Sequence, residues 1–277
     1  MAEGTWEWDP SLYSGSAAYY ARGRLAYPTA LVDALAAQLD LDGSGRLLDV
    51  GCGPGSLTLL LANRFEEAIG LDADQGMLDE AGRLASETGM SNTRWLLRRA
   101  EELPAELGVF RLVTFAQSFH WMDRPRVASA VRGMLDAGGA CAHVHATTHQ
   151  GVDSTATLPY PRPPHGAMAE LVRRYLGPER RAGQGSLPQG TAGGESEVYR
   201  AAGFTGPWRI EIPGWAVTRK IDDLVAAVFS LSSSTPHQFG ERRAAFEAEL
   251  RELLLGAGPD GMFSEQMREI AVDIWRP

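Results

Sequence analysis

Cysteine, lysine and long apolar runs are scarce in this sequence. Cys52 and Cys141 are its two cysteines, too few for a disulfide framework and outside any paired metal-binding motif. Lys220 is the single lysine among 26 basic residues, so every lysine-dependent mechanism is excluded except one built on that residue. Positive charge is in deficit: 26 basic against 35 acidic residues give a net charge of -9. Such a surface repels phosphate backbones and anionic headgroups, which argues against a nucleic-acid partner or a membrane-surface role. No stretch approaches the ~18 consecutive apolar residues of a spanning helix. The acidic, aromatic start Met1-Ala2-Glu3-Gly4-Thr5-Trp6-Glu7-Trp8-Asp9 does not suit a secretory signal. There is no internal repeat. These absences predict a cytoplasmic protein, monomer or homodimer, with no membrane or nucleic-acid partner. What is present is length and core material: 277 residues, 44% of them hydrophobic, sufficient for one large domain or one domain with an appendage.

Apolar residues then recur at two periods. Leu31, Val32, Leu35 and Leu39 keep helical spacing after Tyr27-Pro28, and Gly43-Ser44-Gly45 stops that helix. Arg46 to Val50 reads as a short buried strand, followed by a glycine-rich turn and a helix from Ser56 to about Arg64. Ala68 to Asp72 is a second strand, with Met77, Leu78, Ala81 and Leu84 marking the helix behind it. Thr93 to Leu97 and Leu112 to Ala116 follow as strands, Pro125 opens another helix, and Ala140 to Ala146 is a fifth strand. Strand and helix alternating over about a hundred residues, with apolar runs in most strands, predict an α/β domain with a parallel sheet covered on both faces.

The rhythm breaks after His149. Pro159 to Pro164 is a stiff extended segment and Gly183 to Gly194 a flexible one, with an amphipathic helix between them from Ala167 to Leu176. A helix ending near Gly203, a strand near Trp208 to Ile212, helices from about Asp222 to Leu231 and Glu241 to Leu255, and a strand from Met267 to Trp275 complete the chain.

Ligands of open α/β sheets sit at the carboxyl ends of the strands, where strand order reverses. The first strand here runs into Asp49-Val50-Gly51-Cys52-Gly53-Pro54-Gly55. Glycines allow the backbone to turn tightly and approach a ligand, and the next helix points its first N–H groups into the same crevice. The second strand ends at Asp72, whose carboxylate can accept hydrogen bonds from both hydroxyls of a ribose. A dinucleotide fingerprint wants G-x-G-x-x-G. This loop is G-x-G-x-G with Pro54 inside the turn, and Asp49 before it would repel a pyrophosphate but favour a cationic amine or sulfonium. A positively charged nucleoside fits better than NAD(P).

At these residues a resemblance becomes specific. Leu47 to Thr58 resembles the cofactor loop of class I S-adenosylmethionine-dependent methyltransferases, and Gly70 to Leu78 is similar to that family's second-strand segment. Ala100-Glu101-Glu102-Leu103-Pro104 resembles the segment that contacts adenine, through the Ala100 backbone and the Glu101 side chain, although Arg99 stands where many relatives are acidic. Gln117-Ser118-Phe119-His120-Trp121 is similar to the fourth-strand end of the small-molecule branch that includes trans-aconitate and natural-product methyltransferases. Tyr19 to Pro28 resembles that branch's N-terminal segment, which folds over the cofactor. The match covers about residues 15 to 146. It implies a doubly wound, Rossmann-like, mostly parallel seven-stranded sheet with an antiparallel last strand and helical lid insertions. Residues 1–149 would hold cap helices and the S-adenosylmethionine-binding core, and residues 150–277 the acceptor-binding lid and the rest of the sheet. Asp49, Gly51, Gly53, Gly55, Asp72, Ala100, Glu101, Gln117, Tyr20 and Arg24 are the implied cofactor-binding residues. The partner is a small-molecule acceptor, such as a secondary metabolite, methylated at O, N or C.

Methyl transfer from a sulfonium requires an acceptor held in line, water excluded and, for a neutral hydroxyl or amine, a proton removed. His120 is the candidate base, since it follows the strand whose end faces the cofactor and titrates near neutrality. Its alternative is packing with Trp121. Cys141, His143, His145 and Thr147 share one face of the fifth strand, where they either hold zinc or divide between pocket lining and helix packing. The carboxylates of metal-dependent catechol-type enzymes are missing there, and no metal is expected. Arg24 suits a methionine carboxylate or an acidic substrate, or is a surface residue. The pairs Arg173-Arg174 and Arg180-Arg181 read as solvated helix faces or as contacts to an anionic acceptor. His237 is a second pocket candidate. Trp6, Trp8, Trp208 and Trp215 either shape an aromatic pocket or pack in the core. The rival functions are an NAD(P)-dependent oxidoreductase and a non-catalytic protein on the cofactor fold.

Overall fold

The computed structural model describes residues 9, 11–179, 181–182, 185–186 and 193–277. The expectations for Trp6, Trp8, the Arg180-Arg181 side chains and most of the Gly183 to Gly194 stretch lie outside the described residues. In chain order the elements are α1 (Ala17–Gly23), α2 (Thr29–Leu39), β1 (Arg46–Val50), α3 (Ser56–Leu61), β2 (Glu67–Asp72), α4 (Gln75–Glu87), β3 (Thr93–Leu97) and β4 (Phe110–Ala116). There follow α5 (Arg124–Gly133), β5 (Leu135–His145), α6 (His165–Leu176), β6 (Arg181–Ala182), β7 (Gly185–Ser186), α7 (Glu195–Ala201) and β8 (Thr205–Ile212). The chain ends with β9 (Ala216–Lys220), α8 (Ile221–Phe229), α9 (Arg243–Ala257), β10 (Met262–Gln266) and β11 (Ile270–Arg276).

Seven strands form one sheet in the order β3-β2-β1-β4-β5-β11-β8. β1 to β5 are parallel, and β11 runs antiparallel to both β5 and β8. The doubly wound, mostly parallel architecture with an antiparallel last strand is therefore present. That strand is inserted between β5 and β8 and leaves β8 at the edge. Alternate side chains of each strand feed opposite layers. Leu47 and Leu112 pack with Leu31, Leu35 and Leu61 of α2 and α3. Leu48, Val113 and Phe115 pack with Val127 and Val131 of α5 and Tyr199 of α7. Helix starts are fixed locally: the Asp74 carboxylate accepts the Met77 N–H ahead of α4, and Asp123 does the same for Arg126 N–H ahead of α5, whose first turn holds Pro125.

A third cluster lies above the sheet, with Met168 and Leu171 of α6 against Leu224, Phe229, Phe246 and Leu250 of α8 and α9. Beside the expected helices this layer contains strands that the sequence pattern did not mark. β9 and β10 form an antiparallel pair within it, with Arg219 opposite Phe263 and Glu265 opposite Val217. Arg219 and Glu265 are both fully buried and ion-paired at 3.2 Å, so the apolar alternation that marks a strand is broken at its most buried positions. The Arg219 guanidinium also donates to the carbonyls of His149, Gly23 and Asp223, and Glu265 accepts from His165 and the Gly151 N–H. One buried network thus ties α1, α6, α8 and β10 together. The N-terminal segment is latched to α8 by Ser16 Oγ donating to the Phe229 carbonyl and by Arg22 paired with Asp222 and Asp223. Among the described residues no helix is long and apolar enough to cross a membrane.

Candidate active site

Strand order reverses between β1 and β4, and a cavity opens there at the carboxyl ends of β1, β2 and β4. The loop after β1 is folded across β2: the N–H groups of Gly51 and Cys52 both donate to the Leu71 carbonyl, at 2.7 and 3.1 Å. Gly51, Gly53 and Gly55 all have positive φ. A side chain on Gly55 would strike the Trp95 ring, whereas Gly53 faces open space. Gly55 therefore serves packing, and the bare Gly53 face, together with Gly51, belongs to the cavity wall.

Asp72 sits in that wall, its Oδ2 accepting the Gly53 N–H at 2.8 Å and its Oδ1 the Asp74 N–H at 2.9 Å. Burial, reinforced by the neighbouring Asp74 charge, outweighs these bonds and raises its pKa to about 6. A carboxylate held in this state gains from further hydroxyl donors, which is what a ribose presents. Leu71, Met77, Ala100 and Met122 supply apolar wall beside it, so the cleft suits a nucleoside. Ala100 and Glu101, in a tight turn after β3, also line it. Glu101 Oε1 accepts the Asp123 N–H at 2.8 Å and so anchors the start of α5. Tyr13 and Trp121 meet edge to face over the cavity, with ring centroids 6.0 Å apart.

Asp49 does not reach this wall, contrary to its expected role. It is 1% exposed, and its two carboxylate oxygens accept from Thr58 Oγ1 at 2.6 Å and Thr114 Oγ1 at 2.7 Å. Burial raises its pKa. Asp49 joins β1, α3 and β4 from beneath, and any influence on a cation in the cleft is through space.

A second cavity of about 610 Å³ shares Tyr13, Tyr20, Gln117 and Trp121 with the first. Gln117 adopts φ 57°, a left-handed conformation costly for a non-glycine residue, and Gln117 Nε2 donates to the Tyr27 hydroxyl at 3.3 Å. His120 lies in this cavity, tilted against Trp121. Burial and the Arg124 charge lower its pKa to about 4, so its imidazole is neutral near pH 7. Arg24 lines the second cavity and not the first, with its guanidinium donating to Ser230 Oγ and the Ser230 carbonyl and lying over the Tyr20 ring. The pairing expected of Arg24, with a methionine carboxylate or an acidic substrate, would have to be made from the second cavity.

The strand-face prediction resolves into two roles. Cys141 is buried beneath Tyr199, and burial pushes its thiol pKa up to about 12. His143 Nδ1 meets the Tyr199 hydroxyl at 3.1 Å and, with His145 and Thr147, faces the cavity. His237 is exposed and bonded to the Ser14 carbonyl, outside both cavities. Trp208 is half exposed, and Arg173 and Arg174 pair with Glu170 and Glu249 on a solvated face. Ser118 falls within the expected fourth-strand motif and Met122 directly after it, whereas sequence reasoning missed Tyr13 in the first cavity and Arg209 and Glu195 in the second. Tyr13, Arg209 and Glu195 carry no local signal, since each is brought in by packing of distant elements.

Residues 47–139 match the family model described as a methyltransferase domain. An uncharacterized methyltransferase of Mycobacterium tuberculosis is 35% identical over 132 residues, covering 47% of this chain and 51% of the relative. The chain thus matches about half the length of that relative. The solved YcgJ protein of Bacillus subtilis superposes with a TM-score of 0.51 at 18% identity, over 88% of this chain and 97% of that one, which shows the shared fold. Residues 47–139 are thus similar to a methyltransferase domain, and the glycine loop, Asp72, Ala100 and Glu101 all fall inside that span.

Proposed function

We propose that this chain moves the methyl group of S-adenosylmethionine to a small-molecule acceptor, such as a secondary metabolite, in the cytoplasm. The single observation that carries this reading is a pair of adjacent cavities with a shared wall. A cleft over Asp72 and a larger cavity are both lined by Tyr13, Tyr20, Gln117 and Trp121. When bound, the cofactor supplies an electrophilic methyl for in-line displacement. The chain's own residues do the remainder. Asp72 accepts the ribose hydroxyls, the Gly51 and Gly53 backbone admits the methionine part, and Ala100 with Glu101 meets the adenine. Tyr20, Gln117 and Trp121 form the junction and exclude water from it. His120, neutral at pH 7, lines the second cavity beside Trp121, where the acceptor would lie.

Thermal melting with each ligand tests the cofactor. Stabilisation by S-adenosylhomocysteine and none by NAD(P) is expected, and the reverse result would overturn the proposal in favour of an oxidoreductase. Transfer of a labelled methyl group into a metabolite panel tests the reaction, and a protein that binds S-adenosylhomocysteine but labels nothing would be a binding protein on this fold.

A further inference from the structure

The second cavity holds an imidazole hydrogen-bonded to a buried carboxylate that the cofactor reading does not use. β5 ends at His145, one residue past the Val144 that pairs with Ala116 of β4. Its ring therefore stands at the carboxyl edge of the sheet, in the cavity wall. His145 Nε2 lies 3.0 Å from Oδ2 of Asp273, a β11 residue whose side chain is 6% exposed. Arg209 of β8 grips the same carboxylate with two bonds, Nε to Oδ1 at 2.7 Å and Nη2 to Oδ2 at 2.8 Å. The His143 ring stacks on His145 with centroids 4.5 Å apart and fixes its plane.

Resting on the methyltransferase reading, we propose that His145, oriented by Asp273 and Arg209, takes the proton from a neutral O–H or N–H acceptor in the second cavity. Burial pushes the Asp273 carboxyl up, but its bonds to Arg209 and His145 prevail and hold it below the ordinary carboxylate range. An ionised carboxylate at Nε2 requires the proton on that nitrogen, which leaves the Nδ1 lone pair for the acceptor. Three other imidazoles line the cavity, those of His120, His143 and His149, and the first two lack this arrangement. His143 spends Nδ1 on Tyr199, and the charged neighbour that shifts His120 is Arg124. Besides Asp273 and Arg209, the titratable and charged groups lining the same cavity are His143, His120, His149, Tyr13, Tyr20 and Arg24 from the N-terminal segment, Glu195 at the start of α7, and Arg268 and Glu269 before β11.

The step balances without a further reactant. The acceptor's lone pair forms a bond to the methyl carbon as the carbon–sulfur bond breaks. The bonding pair stays on sulfur, giving S-adenosylhomocysteine, and the acceptor's proton passes to His145 Nδ1 and then to solvent. Asp273 offsets the imidazolium charge, and Arg209 keeps Asp273 aligned. His145 is then the catalytic residue, with Asp273 and Arg209 positioning it.

Diethyl pyrocarbonate on the full chain gives a readout free of turnover, because it acylates the imidazole nitrogen that holds the lone pair. His145 should be labelled on Nδ1 at pH 7, and Asp273→Asn should spread the label over both nitrogens. A His145 that resists while exposed His237 reacts, or one labelled on Nε2 in the unaltered protein, would overturn the proposal. In turnover with a panel of phenols and amines, His145→Gln keeps a partner for Asp273 and should lower kcat ~10²–10⁴-fold, with KM for the probe and S-adenosylhomocysteine affinity unchanged. Asp273→Asn should flatten the pH dependence of kcat, and Asp273→Glu should restore part of it. Unchanged turnover in His145→Gln, or methylation of carbon or anionic acceptors alone, refutes the inference. Failure of the unaltered protein to bind S-adenosylhomocysteine instead counts against the methyltransferase reading itself.

Discussion

Asp72→Asn separates cofactor binding from folding, and its outcome can be worked from the structure. The carboxylate accepts two backbone N–H groups, from Gly53 and Asp74, and its raised pKa of about 6 reflects burial that these bonds only partly offset. The sign of its effect on stability follows. An unfolded aspartate titrates near 4, so the folded state binds the proton more tightly, and stability contributed by this group is greatest below about pH 4 and is lost as pH rises through about 6. At pH 7 the ionised group costs the fold at most about 3 kcal/mol, and less where water reaches the cavity. Asparagine removes that cost but can offer a carbonyl to only one of the two N–H groups, so the two effects oppose and the ligand-free melting temperature should shift little. Cofactor binding should respond quite differently. Charge-assisted bonds to two ribose hydroxyls contribute about 2–4 kcal/mol together, so S-adenosylhomocysteine should bind ~30–1,000-fold more weakly. At a ligand concentration of about 100 times the unaltered Kd, the ligand's stabilisation should fall from about 2.7 to below about 0.9 kcal/mol. Titration calorimetry across pH adds a second readout. Because the ligand favours the ionised carboxylate, affinity of the unaltered protein should decline as pH falls through about 6, and Asp72→Asn should lose that dependence. A variant binding within threefold of the unaltered protein, or keeping the same pH slope, would refute the assignment of Asp72 as the ribose partner.

Glu265→Gln should be the most destabilising of the remaining changes. It leaves the buried Arg219 guanidinium without its carboxylate and should cost about 3–5 kcal/mol in chemical denaturation; a loss below about 1 kcal/mol would mean that the network does not hold the lid. Gly53→Val combines a strained positive φ with a side chain in the open face of the cleft, so it should abolish S-adenosylhomocysteine binding by calorimetry while the circular dichroism spectrum remains that of a folded α/β protein. Tyr199→Phe removes the hydroxyl that meets His143 and should cost about 1 kcal/mol in a denaturant titration. His120→Ala should lower kcat by no more than about tenfold if the proton goes to His145. A loss of ~10³-fold with cofactor affinity intact would return the base to His120.

The cofactor half of the site was legible because it is nearly local. The β1 loop, the end of β2 and the turn at Ala100 each fall at a strand's carboxyl end, and the period of the apolar residues locates those ends directly. Even so, the electrostatic argument placed Asp49 against the ligand, when its carboxylate in fact turns inward to Thr58 and Thr114. Charge and chain position alone cannot decide whether the last residues of a strand point up into a crevice or sideways into the layer beneath it. The acceptor half depends on register between distant segments. Period-two spacing put Cys141, His143 and His145 on one face, but what that face meets is decided by β11, which arrives antiparallel with Asp273 opposite His143. Asp273 lies 128 residues from His145 and Arg209 a further element away, and no local pattern links them. The same physics hid β9 and β10, where the most buried positions carry Arg219 and Glu265 rather than apolar residues. A segment spanning β1 to β4 grafted elsewhere would therefore carry the glycine loop, Asp72 and the Ala100–Glu101 turn with it, but not Tyr13, Tyr20 or Trp121. It would leave behind both the wall that receives the acceptor and the carboxylate that orients His145.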